Sequence, residues 1–248
     1  MGIENRVALI TGSASGMGKE TAWAMAENGA KIVINDVVPE KVEKTVAEFK
    51  EAGFEVIGEV ADVSKKDEVE KMVKSAVEAF GGIDILVNNA GLEKAGLLRK
   101  LTEEDWDITM NVNLKGTFLC SQAAHHHMVE KKHGRIINIA SRAWLGGAGQ
   151  TPYSSAKAGM VGLTRTLGIE LGRKGVTVNC IAPGLIRTPL WDSAPEKMRK
   201  RLLAKQPTGK LGDVSDISNA VMFFADDATD FVTGQVLYVC GGKSLYAS

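Results

Sequence analysis

A doubly wound α/β fold with a seven-stranded parallel sheet follows from three observations on this 248-residue chain. Short β-branched runs alternate with amphipathic stretches along the whole length. Several of those runs are almost wholly apolar, as strands covered on both faces by helices must be. The first run passes through a glycine-rich turn directly into a helical pattern, the opening of a strand–crossover–strand unit.

Strands are expected at residues 7–11, 31–35, 55–60, 83–87, 135–139, 176–181 and 236–239. Between them the apolar spacing predicts helices at 19–28, 40–52, 66–80, 114–132 and 154–173. Gly29 and Gly53 stand where a left-handed residue ends a helix, and Thr102 to Asp105 reads as a capping signal. No repeat, low-complexity linker or charge block divides the chain, so residues 1–248 are expected to form a single domain. One long stretch, about 184–213, falls outside the alternation and precedes a last helix near 214. Insertions of that length in compact domains are often lids or binding loops.

Composition narrows the function classes. Thirty basic and thirty acidic residues balance, which argues against a general nucleic-acid binder. The first apolar run, residues 7–10, is too short for a signal peptide or a membrane span. Cys120, Cys180 and Cys240 lack metal-ligand spacing, so a reduced, cytoplasmic setting is expected. His125, His126 and His127 are consecutive on a predicted helix, where neighbours point about 100° apart, so no metal site is expected.

The turn after the first strand is Thr11-Gly12-Ser13-Ala14-Ser15-Gly16-Met17-Gly18. Glycines there allow a tight turn and bring backbone N–H groups and a helix N-terminus against a pyrophosphate. Asp36 ends the second strand, where a carboxylate can accept hydrogen bonds from an adenosine ribose. A 2′-phosphate at that position meets a like charge, costing roughly 4 kcal/mol at 4 Å for an effective dielectric near 20. Val37 and Val38 follow, with no arginine to offset the repulsion, so NAD is expected rather than NADP. Lys19, just past the turn, is the one nearby cation that speaks for an extra phosphate.

Tyr153 and Lys157 lie four residues apart, about one helical turn. A phenol titrating near 10 is a poor base at neutral pH, and one neighbouring cation lowers a pKa by roughly 1–3 units. Alone, the pair is a common surface spacing. Beside a cofactor whose oxidised nicotinamide adds a second positive charge, it becomes a candidate proton-transfer site.

Taken together, the Gly12/Gly16/Gly18 turn, Asp62-Val63, Asn88-Asn89-Ala90-Gly91, Asn113, Ser141, Tyr153 with Lys157, and Pro183-Gly184 with Thr188 resemble the short-chain dehydrogenase/reductase family, over essentially the whole chain. The resemblance implies a Rossmann-like fold and an oxidoreductase that interconverts a secondary alcohol and a ketone. It implies that Asp62 and the Val63 backbone bind the adenine, and that Asn89, Ala90 and Gly91 support the ribose. Tyr153 is then the acid/base, and Lys157 holds the nicotinamide ribose while lowering the phenol's pKa. Ser141 binds the substrate oxygen, and Asn113 positions a water that relays the proton. Ser15, Met17, Pro183, Gly184, Ile186 and Thr188 complete the cofactor contacts. The chain departs from the common pattern at Cys240, before Gly241-Gly242, and at Arg142, directly after Ser141.

Substrate contacts are expected from Glu93, Lys94, Arg142, Trp144, Leu145, Gln150, Arg187, Leu190, Trp191 and Met198. Arg142 or Arg187 is a candidate for a carboxylate. The basic run Lys197, Arg199, Lys200, Arg201 and Lys205 reads either as a solvated face or as a contact for the phosphates of coenzyme A. These features favour a β-hydroxyacyl-CoA with an aromatic or cyclic acyl group. Two other readings stand beside it: a 3-oxoacyl reductase of fatty-acid synthesis, and a non-catalytic NAD-binding subunit. The resemblance also implies a dimer or tetramer, with a different partner subunit left open.

Overall fold

The computed structural model describes residues 2–187, 191 and 195–245. Its seven strands are β1 (Val7–Ile10), β2 (Lys31–Asp36), β3 (Val56–Val60), β4 (Ile85–Asn88), β5 (Gly134–Ile139), β6 (Val176–Pro183) and β7 (Val236–Val239). All pair in parallel, in the order β3-β2-β1-β4-β5-β6-β7. The expected strands are therefore all present. β6 runs on to Pro183, which sits opposite Val239 at the last ladder position, where proline's missing N–H is tolerated.

The chain leaves β3 at one edge and returns as β4 on the far side of β1. Connections therefore diverge beyond the carboxyl ends of β1 and β4, which opens a crevice there. Side chains alternate along each strand. Ile10, Ile32, Ile34, Ile85 and Ile137 face one apolar layer, and Leu9, Val33, Leu86 and Ile136 face the other. The first layer packs against α1 (Gly16–Glu27), α2 (Pro39–Glu51) and α8 (Val214–Ala225), with Met25, Phe49 and Ile217 fully buried. The second packs against α3 (Lys66–Phe80) and α5 (Gly116–Lys131), through Met72 and Met128. α6 (Thr151–Gly172) covers β6, with Met160 and Val161 against Cys180.

One stretch differs from the expected helix at 114–132. A short helix, α4 (Glu103–Met110), starts from a reciprocal capping box between Thr102 and Asp105. It runs without a break through a π turn, Asn111–Lys115, into α5. The capping signal was visible in the sequence, but only eight weakly amphipathic residues follow it, too few to show a period. Past β6 lies α7 (Glu196–Leu203), which carries no buried residue. Among the described residues, no helix is long and apolar enough to cross a membrane.

Candidate active site

The crevice at the switch point is bounded first by the glycine turn. Gly12 and Gly16 adopt φ of +62° and +58°, which favour glycine. At Gly18 a Cβ would approach the Gly12 carbonyl and the Asn89 amide to 2.5 Å, so a side chain there would force the turn open. α1 begins at Gly16 rather than near residue 19, because the turn itself forms the first helical residues. Ser15 caps it without a side-chain bond, and the first turn has no acidic residue. Its N–H groups are thus open to an anion.

The turn is held from both sides. Asn89 Nδ2 donates to the carbonyls of Thr11 (2.9 Å) and Gly12 (3.0 Å). Thr11 Oγ1 in turn accepts from the N–H groups of Asn89 and Ala90, each at 3.0 Å. From β2, Asn35 Oδ1 accepts from Gly12 N–H at 3.4 Å, while its Nδ2 donates to the Ala61 carbonyl at 3.1 Å. Sequence reasoning did not single out Thr11 or Asn35. Their only signal is position, at the carboxyl ends of β1 and β2.

Asp36 follows Asn35 and accepts from Val38 N–H at 3.2 Å. Asp62, beyond β3, accepts from Ser64 N–H at 2.9 Å, and Val63 beside it is buried. Lys19 is held in an ion pair with Glu48, an acceptor within the fold for the one cation that spoke for NADP. An open helix N-terminus, glycines that close contact demands and a carboxylate ending β2 fit a dinucleotide.

Across the crevice stand Asn113, Ser141, Tyr153 and Lys157. Tyr153 and Lys157 share one face of α6, with the Lys157 ammonium 5.5 Å from the centre of the Tyr153 ring. Lys157 Nζ also donates to the Ile139 carbonyl at 2.8 Å. Ser141 caps the 3-10 turn Arg142–Leu145 by accepting from Ala143 N–H at 3.1 Å. Asn113 lies in the π turn, fully buried, and its Nδ2 donates to the carbonyls of Leu92 (2.8 Å) and Thr109 (2.9 Å). Its Oδ1 is buried with no partner. A Cβ on Gly91 would lie 2.7 Å from that oxygen and 3.5 Å from Lys157 Nζ. Gly91 is thus where the amide oxygen and the ammonium converge, and a side chain there would fill the space beside both.

Below this cluster, Asn88 Nδ2 donates to Asn138 Oδ1 (2.8 Å) and Ser121 Oγ (3.1 Å). Asn138 in turn donates to Thr164 Oγ1 at 2.8 Å. This buried chain fixes β4, β5, α5 and α6 relative to one another.

The electrostatics differ from the expectation that Lys157 lowers the phenol's pKa. Burial pushes Tyr153 up to about 12; the Ser141 hydroxyl pulls it back in part, and the Glu93 carboxylate pushes it further. Burial also pulls Lys157 down to about 8. The ammonium lies over the ring and is bonded to a carbonyl, and burial decides the direction of both shifts.

The remaining expected residues surround the mouth. Gly184 N–H donates to the Val239 carbonyl at 2.9 Å, and a Cβ on Gly184 would meet Cys240 Cα at 2.7 Å. Ile186, after Pro183 and Gly184, bridges to Gly212. Gln150 Nε2 donates to Glu93 Oε1 at 2.7 Å, and Gly96 N–H donates to the Gly149 carbonyl at 2.8 Å, zipping together the loops after β4 and β5. Lys94 faces Asp105 at 3.9 Å. Trp144 stacks on Tyr238, ring centres 6.3 Å apart, and packs with Met160 and Val161, so it braces the wall from the core side. Leu145 and Met198 are exposed, and Trp191 is partly buried. Arg187 pairs with Asp213 at 3.0 Å, whereas Arg142 is partly buried and has no ion pair or hydrogen-bond partner among the described residues. Thr188 and Leu190 lie outside the described residues.

The chain is similar to known proteins along essentially its whole length. A family profile described as enoyl-(acyl carrier protein) reductase matches residues 12–244. The (2S)-[(R)-hydroxy(phenyl)methyl]succinyl-CoA dehydrogenase subunit BbsD of Thauera aromatica is 70% identical over 247 residues, covering 100% of both chains. The 3-oxoacyl-[acyl-carrier-protein] reductase FabG of Thermotoga maritima is 39% identical, covering 98% of this chain and 99% of its own. A crystal structure of an Agrobacterium tumefaciens protein provisionally called a gluconate dehydrogenase superposes with a TM-score of 0.94 at 31% identity, covering 98% of each chain.

Proposed function

The chain belongs to the short-chain dehydrogenase/reductase family and is an oxidoreductase of hydroxyl groups that uses a nicotinamide cofactor; from that premise we propose that it is an NAD-dependent dehydrogenase of a β-hydroxyacyl-CoA with an aromatic ring on the carbinol carbon. The observation that carries the substrate class is the 70% identity, over the whole length of both chains, to the Thauera aromatica subunit. That relative's name describes a succinyl thioester whose C2 bears a phenyl-substituted carbinol and which keeps one free carboxyl group. The basic face of α7 supports a thioester: among the described residues, Lys197 and Arg201 have no ion pair, and such cations suit the phosphates of coenzyme A. Asp36 supports NAD over NADP by like-charge repulsion. The same argument disfavours the second reading, a 3-oxoacyl reductase of fatty-acid synthesis, in so far as such a reductase uses NADP.

In this reading the residues from Gly12 to Gly18 cradle the pyrophosphate, and Asp36 holds the adenosine ribose. Asp62 and Val63 border the adenine, and Asn89, Ala90 and Gly91 back the second ribose. Pro183, Gly184 and Ile186 flank the nicotinamide. When bound, an oxidised nicotinamide supplies the hydride acceptor and a positive charge beside the phenol. Ser141 Oγ hydrogen-bonds the carbinol oxygen, and Tyr153 Oη takes the carbinol proton in oxidation or returns it in reduction. With the phenol at about 12, Tyr153 rests as an acid. It therefore accepts the carbinol proton only as it passes its own along a relay, in which Lys157 gives up a proton to a water positioned by the open oxygen of Asn113 and that water passes it to solvent. General acid–base help of this kind contributes roughly 10²–10⁴-fold.

The described part of the 184–213 stretch serves as the lid over the acyl group, with Trp191 and Met198 among its contacts. The chain assembles through α5 and α6, where Phe118 and Ile169 stay 43% and 83% exposed; as the relative is a subunit, a second kind of chain is a candidate partner. Its three unpaired, buried thiols suit the reducing cytoplasm. NADH formation from a 3-hydroxy-3-phenylpropanoyl thioester of coenzyme A, compared with the matching free acid, tests the reading. A strong preference for the thioester is expected, and equal efficiency would refute recognition of coenzyme A. Turnover with NADP⁺ as good as with NAD⁺ would remove the role given to Asp36.

A further inference from the structure

We infer that Arg142 binds a free carboxylate on the acyl group, so that the enzyme selects thioesters of dicarboxylic acids; this rests on the thioester reading above. Arg142 directly follows Ser141, and consecutive Cα atoms are about 3.8 Å apart. Its backbone is thereby fixed next to the serine whose hydroxyl contacts the Tyr153 phenol. Its side chain is partly buried and has no acceptor among the described residues.

Among the described residues, three other arginines have carboxylates, and Arg199 of α7, whose Nε is buried without a partner, does not. Arg6 and Arg135 share Asp227, and Arg187 has Asp213. Glu93, the carboxylate that influences Tyr153, accepts from the Gln150 amide instead. With no acceptor among the described residues, the Arg142 guanidinium is free to pair with a ligand. Its planar fork matches a carboxylate with two parallel hydrogen bonds. The chemistry of the relative's substrate places such a group close to the reacting carbon: the free carboxyl is two or three bonds from the carbinol, whichever end carries the thioester. Of the two arginines the sequence offered for a carboxylate, Arg142 is therefore the one with its fork unoccupied.

The test compares 2-[hydroxy(phenyl)methyl]succinyl-CoA with the same thioester in which the free carboxyl is a primary amide. The wild-type protein is expected to prefer the acid in kcat/KM by roughly ten- to a hundredfold, the range of a charge-assisted pair. Arg142→Leu should bring that ratio close to one, and Arg142→Lys should restore part of it. Bound NAD, followed by fluorescence, reports whether each variant is folded. The wild-type ratio decides the carboxylate requirement even if Arg142→Leu fails to fold, and Arg142→Lys then decides the residue. Equal use of acid and amide by the wild type would overturn this inference while leaving the thioester reading standing. A ratio that survives in both variants would overturn the assignment to Arg142. Oxidation of neither thioester would overturn the underlying reading itself.

Discussion

At its amino end, β5 places Arg135 in a closed network. Arg135 is 3% exposed and reaches Asp227 at 3.4 Å, where Arg6 (2.8 Å) and His133 (2.6 Å) also converge. Those contacts, set against burial, hold the Asp227 carboxyl below its usual range. Nearby, Asp84 accepts from Val7 N–H at 2.9 Å and pairs with Lys131 at 3.1 Å. At its carboxyl end, the same strand leads to a cluster left open. Lys157 is as deeply buried as Arg135 but has no carboxylate, and the Asn113 oxygen is orphaned. Both ends bury a cation, yet only one neutralises it. Charge that is paired holds the strands together, whereas charge left unpaired remains free to act on something that binds.

The sharpest way to break that comparison is at the phenol. Tyr153→Phe removes the proposed proton donor without touching the dinucleotide cradle, so kcat should fall by about 10²–10⁴-fold. NAD affinity, followed by fluorescence titration, should stay near the wild-type value. Retained turnover would show that another group moves the proton.

The second test reads the cost of the open cation through pH. Folding lowers the pKa of Lys157 from its usual 10.5 to about 8. Between those values the unfolded chain binds more protons, so the contribution of Lys157 to stability rises as pH rises. Tyr153, at about 12, acts in the opposite sense above its usual 10. Relative to wild type, Lys157→Met should therefore be favoured at pH 7 by roughly 3 kcal/mol from this source, offset in part by the Ile139 carbonyl it leaves unbonded. That advantage should shrink by pH 10, measured as denaturant midpoints of both proteins across the range. A difference that does not vary with pH would mean the buried ammonium titrates normally.

The smallest effect belongs to the closed end. Asp227→Ala strands Arg135, but the Asp227 side chain is 40% exposed, so the loss is discounted for solvent screening to roughly 1–3 kcal/mol. The melting temperature should drop by several degrees while kcat stays within about twofold of wild type. A large loss of kcat would show that the two ends are coupled through β5.

The sheet was legible because its strands are short, apolar and punctuated by glycine, and the cradle because glycine spacing and a terminal carboxylate are local signals. Long-range closure was not. Nothing in the sequence joins His133, Arg135 and Arg6 to Asp227, residues that meet only after β5 and α8 are packed. Trp144 was read as a pocket wall, but its neighbour Tyr238 arrives from β7, almost a hundred residues later. The spacing of Tyr153 and Lys157 gave their shared face correctly. Their titration depends on burial, which spacing does not report.

The π turn at Asn111–Lys115 carries a consequence of its own. A π turn takes one more residue than an α turn, and each residue advances an α-helix by about 100°. The turn therefore sets the phase of everything after it relative to α4. Deleting one residue there would restore a regular α-helix and rotate Asn113 relative to Gly91 and Lys157. Inserting one would misalign α5 against α3 and β5 instead. The α4–α5 rod is thus tuned in length as well as in composition, and its residue count is part of how the site is aimed.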